Sequence, residues 1–67
     1  MAKDKGPVNW REAQEHLESG KIIYRRSWPS DRYVRKVGNK RTEWMGGHPT
    51  YFYPCGADEN AEDWYYR

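Results

Sequence analysis

The sequence predicts an α+β fold: one N-terminal helix packed on a small, twisted antiparallel sheet. Three observations predict it. A capped amphipathic segment occupies residues 9–20. Short β-branched or aromatic runs follow it, separated by turns rich in Gly, Pro and Asn. The chain has only 67 residues, and a chain of that size buries about 60% of its unfolded surface, enough for one core.

Each element has a local reason. Residues 1–7 read as a flexible N-terminal tail, leaving 8–67 as the single domain. Asn9 is a good N-cap, and Glu12 stands three residues later, as in a capping box. Trp10, Ala13, Gln14 and Leu17 fall on one helical face. Gly20 ends the helix in a left-handed cap. So short a helix is unstable alone and must dock its Trp10/Leu17 stripe. Residues 21–26 form a strand by composition, and Ser27-Trp28-Pro29-Ser30-Asp31 is a turn. Arg32–Val37 is a second strand, joined through Gly38-Asn39 to a third, Lys40–Met45. The Gly46-Gly47-His48-Pro49 break is expected to precede a fourth strand at 50–53. Pro54-Cys55-Gly56 turns again. A single helical turn at 58–62 and a short strand, Trp64–Tyr66, close the chain.

Leu, Ile, Val and Phe are scarce: Val8, Leu17, Ile22, Ile23, Val34, Val37 and Phe52 are all there are. Four Trp and six Tyr take their place, each able to bury roughly 150–250 Å². That is more aromatic surface than one small interior needs, so some rings belong to a subunit interface or a ligand site. A thin aliphatic core also favours oligomerisation, and a homo-oligomer is expected. The single cysteine, Cys55, excludes an internal disulfide. No apolar run approaches the ~20 residues of a membrane span. Residues 1–7 lack the apolar segment of a signal peptide. A cytosolic protein without membrane partners is expected.

Charge is segregated. Residues 21–41 carry Lys21, Arg25, Arg26, Arg32, Arg35, Lys36, Lys40 and Arg41 against Asp31 alone. The last third is acidic, through Glu43, Asp58, Glu59, Glu62 and Asp63. The basic belt either faces an anionic partner or pairs with that acidic segment.

Catalytic signatures are absent. There is no P-loop and no Gly-x-Gly-x-x-Gly. His16, His48 and Cys55 lack metal-ligand spacing, and Cys55 has no well-spaced base. No catalytic residue, metal or cofactor is expected. A binding constellation remains. Arg25, Arg26 and Trp28 sit where a strand enters a Pro-containing turn, and Arg32, Tyr33, Arg35 and Lys36 follow. Guanidinium groups fork phosphate, and aromatic faces stack on bases. Trp44 and Tyr51 are further candidate stackers. Alternation along a strand implies that only one of Arg25 and Arg26 faces such a site. Trp28 has the alternative of plugging the core beneath its turn.

Two stretches carry a resemblance. The first runs from Trp10-Arg-Glu-Ala through Leu17 and Gly20-Lys21 to Arg25-Arg-Ser-Trp28. The second is Pro54-Cys-Gly-Ala-Asp58, closing on Ala61-Glu62-Asp63-Trp64. Together they resemble the two ends of the second Thoeris anti-defence family and the related anti-CBASS sponge proteins of phages. The match covers residues 9–28 and 54–66. It implies one helix on an antiparallel sheet, a homotetramer of paired dimers, and no enzymatic activity. It further implies that a cyclic dinucleotide or a cyclic ADP-ribose isomer is sequestered in pockets between subunits, in the host cytoplasm. Trp28 matches a pocket-lining tryptophan of the Thoeris branch. Glu59 and Asn60 stand where the family has apolar residues. The middle of the chain does not align, so no pocket residue carries over from it.

Three readings of function are therefore open: a signal-sequestering sponge, a single-stranded nucleic-acid-binding module, and an inhibitor that contacts a host protein through its aromatic surface. Asp63 and Trp64 are expected to be structural.

Overall fold

In the computed structural model, which describes residues 4–67, the helix begins where its cap lies. The Asn9 side chain accepts the Glu12 N–H at 2.9 Å, and α1 runs Trp10–Glu18. Gly20, at φ +97°, turns the chain out of the helix. The Lys21 N–H then bonds back to the His16 carbonyl at 3.0 Å, which satisfies an otherwise orphaned helix terminus. Ala13 and Leu17 are fully buried, and Trp10 lies half-buried on the same stripe. Asn9→Ala should lower stability by about 1 kcal/mol. The midpoint of urea unfolding measures this, and an unchanged midpoint would remove the cap from the account.

The remaining elements are β1 (Lys5–Val8), β2 (Ile23–Arg25), β3 (Arg32–Val37), β4 (Lys40–Met45), β5 (His48–Tyr51), α2 (Gly56–Glu59) and β6 (Trp64–Tyr66). They form one antiparallel sheet in the order β1-β6-β2-β3-β4-β5. The helix lies on one face, against β6, β3 and β2. The expected α+β architecture is the observed one.

Four boundaries differ from those the sequence suggests, the first being the strand expected over 21–26, which is confined to Ile23–Arg25. The N-terminal segment is not a tail throughout. Lys5–Val8 pairs with β6, Lys5 opposite Tyr66 and Val8 opposite Trp64. It covers backbone groups that β6 would otherwise leave open at the sheet edge. Gly6 permits the approach, because a Cβ there would lie 2.7 Å from the Trp64 carbonyl oxygen. Residues 1–3 of the expected tail lie outside the described residues.

The fourth strand starts earlier than expected. Gly46 and Gly47, both at positive φ, make a two-residue hairpin turn that sets His48 opposite Met45. Pro49 is tolerated because β5 is an edge strand. Phe52 then leaves the sheet and turns into the core, its N–H donating to the Arg41 carbonyl at 3.1 Å. The C-terminal helical turn is also displaced, to Gly56–Glu59.

The core is built from rings where aliphatics are short. Ala13, Leu17, Ile23, Val34, Phe52 and Trp64 are buried. Trp64 lies among Trp10, Trp28 and Phe52, with ring centroids at 5.1, 5.3 and 6.4 Å. Its Nε1–H donates to the Asp58 carbonyl at 2.9 Å. Asp63 pairs with Arg25 at 3.0 Å. Both residues of the Asp63-Trp64 pair are thus structural.

Candidate ligand-binding site

β2 ends at Arg25 because the chain turns away there. The Trp28 N–H bonds to the Arg25 carbonyl and the Arg32 N–H to the Pro29 carbonyl, both at 3.0 Å. Residues 26–31 loop outward, and β2 and β3 diverge beneath them. A cleft of about 230 Å³ opens at this divergence. The rings of Tyr24, Trp28 and Tyr33 line it together with Arg32, Arg67, Asp4, Pro29 and Ser30.

The charges in the cleft are arranged around its rings. The Arg32 guanidinium lies 4.1 Å from the Trp28 ring centroid and also pairs with the buried Glu43 carboxylate. The Arg67 guanidinium is 5.8 Å from the Tyr24 ring and 3.9 Å from Asp4. Reciprocal backbone bonds with Ile22, each 3.0 Å, fix Arg67 in place. The Tyr24 hydroxyl donates to the Asp4 carboxylate. Burial, reinforced by that carboxylate, pushes the Tyr24 phenol up to about 12. Tyr24 therefore stays protonated at neutral pH and serves as a donor.

The residues singled out in the sequence land in different places. Trp28 and Tyr33 line the cleft. Trp28 also satisfies its core alternative, standing edge-on to Trp64 and Phe52. Its removal would cost stability as well as any binding. Arg25 is drawn to the helix side of the sheet, where it pairs with Asp63 at 3.0 Å and Asp58 at 3.1 Å. Its charge is taken by two carboxylates, so it is no phosphate fork. Arg26 is exposed and lines neither the cleft nor the second hollow. Arg35 is exposed on the sheet face away from the helix. Trp44 stacks on Tyr33 on that same face, with centroids at 5.7 Å and planes 9° apart. Tyr51 lines the second hollow, about 220 Å³, with Lys40, Thr42, Pro49 and Thr50.

The basic belt divides. Arg25, Arg32, Lys36 and Arg41 are in ion pairs, the last two with Glu18 of α1 at 2.7 and 3.3 Å. Among the described residues, Lys21, Arg26, Arg35 and Lys40 make no ion pair. The alternative of pairing with the acidic last third is thus carried by Arg25, with Asp58 and Asp63, and by Arg32, with Glu43.

Arg32 belongs to the constellation read from the sequence, whereas Tyr24, Arg67 and Asp4 do not. Tyr24 flanks the turn already singled out, so its neighbourhood was a usable signal. Asp4 and Arg67 carried none, because only the pairing of β1 with β6 brings the chain ends to the cleft.

Among the described residues, no three His, Cys, Asp or Glu side chains gather where a metal ion could be held. None of the described helices is long and apolar enough to cross a membrane. No protein-family model, curated protein or solved structure matches this chain.

Proposed function

We propose that the protein binds a cyclic nucleotide defence signal, a cyclic dinucleotide or a cyclic ADP-ribose isomer, and sequesters it uncleaved in the host cytoplasm. The observation that carries this reading is the cleft where Tyr24, Trp28 and Tyr33 meet Arg32 and Arg67. A cyclic nucleotide offers a base face and a phosphate group close together, which calls for a ring beside a guanidinium. The resemblance of residues 9–28 and 54–66 to the sponge families points the same way.

The cleft of one chain is smaller than the ~300–1,000 Å³ of a typical small-molecule site. It suits one base and its phosphate. A second copy of the chain would then supply the remainder, consistent with a homo-oligomer, a tetramer in this reading. Binding without cleavage is supported by the ionisable groups at hand. Asp4 is engaged by Tyr24 and Arg67, and Tyr24 holds its proton, so neither is poised as a general base.

Thermal-shift screening against a panel of cyclic nucleotides tests the reading. A ligand at ~100 times its dissociation constant should add about 2.7 kcal/mol of apparent stability. Arg67→Ala removes a weakly paired cation whose side chain is 46% exposed, so the fold should survive. The bound signal should then weaken about tenfold, the low end for a charged hydrogen bond. The nucleotide should be recovered intact after denaturation. A linearised product would make the protein an enzyme. No shift with any cyclic nucleotide would sink the proposal.

A further inference from the structure

We infer that the open face of β3, β4 and β5 is a second binding surface, adjoining the cleft at Tyr33, and that its occupant is single-stranded nucleic acid. The helix covers only one side of the sheet. Val34 and Glu43 are buried on that side, so strand alternation turns Tyr33, Arg35, Thr42 and Trp44 to the other. The register completes the surface. Pro49 lies opposite Trp44, and Tyr51 opposite Thr42. Tyr51 remains 57% exposed and Val37 50%.

Two stacking platforms result. The Tyr33/Trp44 pair is one. Tyr51, beside its hollow, is the other. They are offset by two residues along β4, about 7 Å, so two bases of one strand can be engaged at once.

Charge selects the occupant. Arg35 and Lys40 are exposed on this face and make no ion pair among the described residues. Glu43 is the sole carboxylate in the three strands, and it points to the opposite side, paired with Arg32. A second copy packed face to face would set Arg35 and Lys40 against their own images with no acid to offset them. An anionic strand with unstacked bases meets both requirements, cations for phosphates and rings for bases. A duplex meets only the first.

Fluorescence anisotropy with a labelled oligouridylate of about ten nucleotides tests this on the whole chain. With two phosphate contacts on a single strand, affinity should fall about sevenfold between ~50 and ~200 mM salt. Tyr51→Ala and Trp44→Ala should each weaken binding about fivefold or more, and Arg35→Glu should weaken it further. Tyr51 and Arg35 are exposed, so these two variants stay folded even if Trp44→Ala does not. Arg67→Ala, which reports on the cleft, should leave oligonucleotide binding unchanged. The inference is overturned if the parent protein does not bind the probe at ~50 mM salt, or if Tyr51→Ala and Arg35→Glu bind as the parent does. Loss of the probe in Arg67→Ala alone would assign it to the cleft and equally overturn the second surface. So would light scattering that shows an oligomer dissociated by Tyr51→Ala, since a second copy would then cover the face.

Discussion

Trp64→Ala is expected to leave a chain largely unfolded at room temperature. Trp64 has no solvent exposure and touches Trp10, Trp28 and Phe52. Those contacts join the helix, the 26–31 loop and the segment after β5 to β6. Truncating a buried tryptophan costs about 3–5 kcal/mol. At 0.05–0.15 kcal/mol per residue, a chain of this length holds only about 3–10 kcal/mol in all. Trp64→Phe separates packing from hydrogen bonding. It keeps a ring but removes the Nε1–H donated to the Asp58 carbonyl, which still accepts the Ala61 N–H at 3.3 Å, so the lost bond costs about 0.5–1.5 kcal/mol. Near-ultraviolet circular dichroism and urea midpoints should rank the parent above Trp64→Phe and that above Trp64→Ala. A parent-like midpoint for Trp64→Ala would show that the four-ring cluster does not hold the fold together.

Arg25→Ala is expected to cost about 2–3 kcal/mol at neutral pH, and the loss should shrink in acid. Breaking a buried ion pair by removing one partner costs about 3–5 kcal/mol. The figure is reduced here because Arg25 and Asp63 keep some solvent, with side chains 21% and 34% exposed. The acid dependence follows from Asp58. Burial by itself would raise its carboxyl, but the N–H and thiol of Cys55 and the Arg25 guanidinium outweigh burial and hold it below the usual value. A carboxyl depressed in the folded state adds stability that is complete above its unfolded value, near ~3.9. That stability is lost as the pH falls through the lower folded value. The parent should therefore lose stability below about pH 4. Arg25→Ala lacks part of this increment and should lose less. Thermal melts between pH 7 and pH 3 should show the two curves converging. A constant gap would mean that Arg25 acts by packing alone, and Arg25→Met would then restore stability.

The local elements were legible because local chemistry sets them. Asn9 with Glu12 marks the helix start, Gly20 its end, and Gly38-Asn39 the central hairpin, all at the expected residues. Long-range pairing was not legible. Lys5–Val8 has no strong strand composition and becomes a strand only because β6 offers it an open edge. Pro49 reads as a breaker until the strand containing it is known to lie at the edge. The site was half legible for the same reason. Trp28 and Tyr33 stand beside a turn visible in the sequence. The partner of Arg25 lies 38 positions away at Asp63, and nothing near Arg25 shows that its charge is already taken.

The pairing of β1 with β6 makes the chain almost circular. Asp4 and Arg67 lie side by side and both border the cleft. A polypeptide appended after Arg67 emerges at the cleft mouth. An affinity tag or reporter fused there crowds the cleft and adds its own charges beside Arg67. The same insertion between Gly38 and Asn39, at the far hairpin tip, leaves the mouth clear. Joining Asp4 to Arg67 by a short linker and reopening the chain at that hairpin would keep the strand order unchanged. In a permuted protein of this kind both new ends lie at the hairpin tip, away from the cleft.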